Sequence, residues 1–117
     1  MTFHTIQDVG GEVVKDEARY VVKDNTQLKN LVLSSTRLNP NHMTRGHVHA
    51  GQEEIYFFIE GTGEIQLNNI EIDVSPGTVV LIEDGMFHKV TAGEDGCYFV
   101  TVFDGKRNNK YENTKYD

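Results

Sequence analysis

Two histidines one residue apart, His47 and His49, lie in the stretch Gly46-His47-Val48-His49-Ala50-Gly51-Gln52-Glu53-Glu54, and a third, His88, closes Gly85-Met86-Phe87-His88. In an extended strand successive side chains alternate faces, so His47 and His49 point the same way. Two imidazoles followed after a short turn by a carboxylate suit a divalent metal bound through nitrogen and oxygen, and a histidine from a distant strand would complete the shell. Glu53 and Glu54 face opposite ways on a strand, so only one of them can look inward. The competing reading leaves all of these groups solvated at the surface. It has to account for a carboxylate followed by the apolar run Ile55-Tyr56-Phe57-Phe58-Ile59, where an unpaired half-buried charge is costly. The metal reading is the stronger.

Strand-like segments hold these residues: Arg19–Lys23, Leu28–Leu38, Thr44–His49, Ile55–Glu60, Glu64–Leu67, Ile70–Val74, Thr78–Ile82, His88–Thr91 and Cys97–Phe103. Between them stand turn residues, among them Asn39-Pro40-Asn41, Gly61-Thr62-Gly63, Asn68-Asn69, Ser75-Pro76-Gly77 and the stretch from Gly93 to Gly96. Asn68-Asn69 reads as a two-residue hairpin, because Asn tolerates positive φ. No segment shows a 3.6-residue period, so an all-β antiparallel sandwich or barrel is expected, with under about a tenth of residues helical. Ile55, Phe57 and Ile59 on one face, with Tyr56 and Phe58 on the other, suggest a strand buried on both sides. One domain is expected over residues 1–117, with a core of about 18–103, an arm or edge strand over 1–17 and a polar tail over 104–117. Tyr111 and Tyr116 are the tail's large apolar groups.

The 18 acidic and 11 basic residues give a net charge of −7, with no basic cluster larger than Lys106-Arg107. Nucleic acid and anionic membrane surfaces are therefore discounted as partners. No run approaches the length of a membrane span, and the opening residues lack a basic and apolar signal pattern, so a cytoplasmic protein is expected. The single cysteine, Cys97, excludes an intrachain disulfide and reads as a small residue packed at a strand end.

The segment Asn41 to Gly61 resembles the first motif of the cupin superfamily, with His47, His49, Glu54 and Gly61 in place and Asn41 where a glycine is usual. Asn is, after Gly, the residue most at ease with positive φ, so the departure is mild. Gly77 to His88 is similar to the second motif through Gly77, Gly85 and His88, with Glu83 where proline is usual and Ala92 where asparagine is usual. Neither departure removes a ligand. The resemblance spans about residues 30–103. It implies a double-stranded β-helix of the jelly-roll type and a divalent ion (Mn, Fe, Ni or Zn) held by His47, His49, Glu54 and His88.

Cupins carry many chemistries, so fold and metal do not name a reaction. The stretches Thr44–His49, Glu53–Tyr56 and Gly61–Glu64 look similar to cupin-type phosphohexose isomerases and related carbohydrate cupins. In that case a sugar or sugar phosphate is isomerised or epimerised, with Glu54 or Tyr56 moving a proton. A mononuclear Fe(II) dioxygenase is the alternative enzyme, and a non-catalytic small-molecule binding module is the third reading. Arg45 shares parity with His47 and could clamp an anionic substrate group, or else pair with Glu53, Glu83 or Asp84 at the rim. Tyr56 and Phe58 are further candidate substrate contacts, although filling of the barrel is the simpler role for both. Lys89 faces away from the metal, Phe87 reads as core, and His4 and His42 read as surface. A homodimer through sheet edges is expected.

Overall fold

The computed structural model describes residues 2–105, and among the described residues none is α-helical. The chain forms β1 (Glu12–Asp16), β2 (Tyr20–Asn25), β3 (Leu31–Leu38), β4 (Glu54–Leu67), β5 (Ile70–Val74), β6 (Val79–Ile82) and β7 (His88–Asp104). The ladder runs β1-β2-β3-β7-β4-β5, with β6 also paired to β4, and each strand pairing is antiparallel. This is the jelly-roll barrel expected from the sequence.

Two strands do most of the positioning. The glycine-containing stretches at 61–63 and 93–96, read from sequence as turns, instead lie inside β4 and β7, which run 14 and 17 residues. Glu54–Phe58 pairs with Phe99–Phe103, and Gly63–Leu67 pairs with His88–Ala92. Between these halves the register shifts at Phe58/Glu60 and at Gly61/Gly63. An unpaired residue of this kind bends a strand and raises its twist. The first half of β4 is flanked by β6 and the second by β5, so both long strands pass from one layer into the other. Gly61 makes the crossing possible. Its φ is +77°, and a β-carbon there would lie 2.1 Å from the Gly96 carbonyl oxygen. Glycine is needed on both counts.

The layers close on one apolar cluster. Tyr56, Phe58 and Phe99 from one pair of strand halves meet Ile65, Val90 and Ala92 from the other pair, together with Tyr20, Val22, Leu38 and Val74. Interdigitation of inward-facing side chains from two layers is how such a sandwich stabilises itself. Outside the barrel the N-terminal arm does more than the sequence reading allows. Val9 is 2% exposed and packs with Tyr98 and Val100 beside Leu33, Phe57 and Ile59. The Tyr98 hydroxyl donates to the Ile6 carbonyl at 2.6 Å. β4 is therefore apolar on both faces because one faces the barrel interior and the other partly faces the arm. Leu67 pairs with Ile70 around Asn68 at φ +52°, the expected two-residue hairpin, and Asn41 adopts the expected left-handed backbone at φ +62°. Tyr111 and Tyr116 lie outside the described residues.

Candidate metal centre

His88 opens β7 and Glu54 opens β4, so both sit where a strand enters the barrel. His47 and His49 come from a different kind of segment. The strand read from sequence at Thr44–His49 is absent, and isolated bridges, Met43 to Thr91 and His47 to His88, stand in place of a continuous ladder to β7. At the second bridge the two residues exchange both backbone hydrogen bonds, each 3.1 Å long. The Thr44 amide donates to the Val90 carbonyl at 2.8 Å, while the Thr44 hydroxyl accepts from the Val90 amide at 3.0 Å. Gly46, at φ +82°, breaks the alternation between them, and a β-carbon there would come 2.8 Å from the Phe87 ring. The local chain is irregular, yet the histidines converge.

The ligand-capable atoms of His47, His49, Glu54 and His88 all lie within 4.8 Å of one another. Glu54 Oε1 is 3.4 Å from His49 Nε2 and 3.2 Å from His88 Nε2. The His47 ring stands edge-on to His49 at 4.3 Å and to His88 at 4.5 Å. Metal bonds of about 2.1 Å place neighbouring ligand atoms about 3.0–3.4 Å apart and opposite ones about 4.2 Å apart. The cluster matches a coordination shell after a small contraction.

Electrostatics agree with that fit. Glu54 is 4% exposed and His88 2%, and neither Glu54 Oε1 nor His88 Nε2 makes a hydrogen bond. Buried polar atoms in that condition are costly unless something else satisfies them, and a cation would. His88 Nδ1 lies 3.0 Å from the Met86 carbonyl oxygen. A carbonyl can only accept, so Nδ1 is the donor there, which leaves Nε2 as the nitrogen that faces Glu54. Burial holds the His49 imidazole below its usual pKa; Glu54 pulls it up and His88 pushes it down. Neutral imidazole is the ligating form.

The neighbours of the cluster divide clearly. Glu53 is exposed and Glu54 buried, as opposite faces of the strand require. Tyr56 is 5% exposed, with its ring edge-on to His88 at 5.7 Å and stacked on Phe99 at 5.3 Å. Phe58 packs against Phe99 in the core. Arg45 is exposed, and the positive φ of Gly46 removes the parity by which the sequence aligned it with His47. His4 and His42 are exposed, as read. Gln52, passed over in the sequence reading, is 1% exposed, and its amide donates to the Asp104 carbonyl at 3.1 Å. Its position two residues before Glu54, on the same face, is the signal that could have found it.

An all-β jelly roll with a buried histidine–carboxylate cluster at its strand entrances defines a barrel that could bind a metal ion. The family described as cupin domain matches residues 34–103, and the chain belongs to it. The fold is similar to that of KdgF from Halomonas sp., with a TM-score of 0.73 and 18% identity over 86% of this chain and 98% of that one. It is also similar to a predicted oxalate decarboxylase from Thermotoga maritima, with a TM-score of 0.67 and 21% identity over 73% and 79%. A mutant of Bacillus subtilis oxalate decarboxylase gives a TM-score of 0.71 and 24% identity over 77% of this chain and 26% of that longer one. At these identities the likeness is one of fold. No curated protein matches the sequence.

Proposed function

We propose that this protein is a metal-dependent cytoplasmic enzyme that isomerises or epimerises a small polar substrate, a sugar or sugar phosphate. The observation that carries the reading is four ligand-capable groups within 4.8 Å of one another, three of them buried and His47 half-buried. His47, His49, Glu54 and His88 would hold a divalent ion (Mn, Fe, Ni or Zn), which supplies Lewis-acid polarisation of a carbonyl or hydroxyl when bound. Glu54 and Tyr56 are the groups offered for proton movement, the Tyr56 ring standing edge-on to His88. Tyr56 and Phe58 would line the apolar side of the substrate. Arg45, exposed on the segment leading to His47, would draw in an anionic group.

Three imidazoles and one carboxylate also suit Fe(II), so a mononuclear dioxygenase is the second reading. Elemental analysis followed by thermal-shift screening of sugars, sugar phosphates and carboxylates separates the two readings. Manganese, nickel or zinc, with stabilisation by a sugar and turnover without oxygen, supports isomerisation. Iron with oxygen-dependent loss of a carboxylate overturns it in favour of the dioxygenase. Stabilisation by a ligand that never turns over leaves a binding module.

We further propose a homodimer. The apolar surface suited to it lies on a sheet face as well as at the edges. Ile55 pairs with Leu81 on one side and Val102 on the other, and Val102 pairs with Leu33. Leu81 is 67% exposed, Val79 53% and Ile55 37%. Leu28 and Leu31, 66% and 45% exposed, lie beside Leu33 and Val102 and extend the apolar surface.

A further inference from the structure

We infer that Asp84 is a positioning residue for the metal centre, acting through a tether between the turn that follows His49 and the turn that precedes His88. The inference rests on the metal reading above. His49 lies outside any strand, so regular ladder bonding does not fix its place. Its carbonyl accepts from the Gly85 amide at 3.0 Å. In return the Asp84 carboxylate Oδ1 accepts from the Gly51 amide at 2.6 Å. The two bonds run in opposite directions between the same two turns, so each prevents the other from pivoting.

Both turns depend on left-handed glycines, Gly51 at φ +85° and Gly85 at φ +79°. Glycine loses the most conformational freedom on ordering, so these turns need an external restraint to hold one shape. The tether continues to the second ligand. The Met86 amide donates to the Glu83 carbonyl at 3.1 Å, closing the turn around Asp84, and the Met86 carbonyl accepts from His88 Nδ1. Asp84 thus sets the distance between the segments that present the His49 and His88 nitrogens, without touching either ring. A side-chain oxygen that accepts from a backbone amide holds a loop in one shape, as it does at helix caps and Asx turns.

Charge and tethering are separable, because asparagine keeps an acceptor oxygen in place and loses only the charge. Metal affinity is measured by calorimetric titration of Mn²⁺ or Zn²⁺ into metal-stripped protein, and amide exchange is followed at Gly51 and Gly85. Asp84→Ala is expected to weaken metal binding about 10–100-fold, the range for residues that orient ligands. It should also accelerate exchange at both glycines while leaving the β spectrum intact. Asp84→Asn is expected to restore slow exchange and most of the affinity. Equal losses in Ala and Asn would assign the effect to charge alone and overturn the tether, as would unchanged affinity in both. A folded wild type that takes up neither ion overturns the metal reading itself, and the inference falls with it. Wild-type binding with an unaffected Asp84→Ala overturns only the inference.

Discussion

Glu53 and Glu54 are neighbours in sequence and opposites in environment. Glu54 is buried within 3.4 Å of His49 Nε2 and 3.2 Å of His88 Nε2, while Glu53 is exposed. Glu54→Gln is therefore expected to lower metal content at least tenfold, and Glu53→Gln to leave it near wild type, as read by elemental analysis after dialysis. The reverse pattern would shift the site by one residue. Cys97 tests burial by a different route. Its thiol is pushed up to about 11 by desolvation, against an ordinary value of 9.0. The folded state then holds its proton more tightly than the unfolded state. This contribution to stability is full below about pH 9 and is lost as pH rises toward 11. Cys97 should stay unreactive toward a disulfide reagent at pH 8 until denaturant is added, and Cys97→Ala should flatten the loss of stability above pH 9. The metal-ligand candidates were legible because two motifs fell in register. Asp84 left no comparable mark, since its bond to the Gly51 amide depends on turns whose shapes appear only in three dimensions.

The strands themselves were readable from β-branched and aromatic runs, but the joints between them were not. Gly61-Thr62-Gly63 has the composition of a turn, and only the pairing of Gly61 with Cys97 shows it to be a bend within a continuous strand. Thr44–His49 has the composition of a strand, yet Gly46 at φ +82° interrupts it. In both places composition identifies the conformational freedom of glycine and tertiary pairing decides how that freedom is used. Two substitutions separate backbone strain from steric collision. Gly61→Ala meets the Gly96 carbonyl and should cost about 2–4 kcal/mol in denaturant unfolding. Gly77 has φ +97° with nothing within 4 Å of an added β-carbon, so Gly77→Ala should cost only about 1 kcal/mol. Equal costs would mean that the crossing can relax.

For the whole molecule, the net charge of −7 works against self-association, and an apolar face is where two copies could approach most easily. Leu81→Glu, at a position 67% exposed, should convert the proposed dimer to monomer without loss of folding, as read by sedimentation equilibrium. A wild type that is already monomeric, or a variant that remains dimeric, would remove that face from consideration.

The passage of β4 and β7 through both layers also governs how the molecule can be cut. A sandwich whose layers exchange no strands can in principle be split into halves. Here a break within either long strand would deprive both layers at once. New termini should be tolerated at the Asn68-Asn69 hairpin or near Pro76, where both residues at each place are exposed and no strand is severed. Amides on the two halves of β4 should exchange with one shared opening energy, the signature of a single cooperative unit. A permutant opened at Asn69 would then retain the barrel, whereas one opened at Thr62 would lose its layers together.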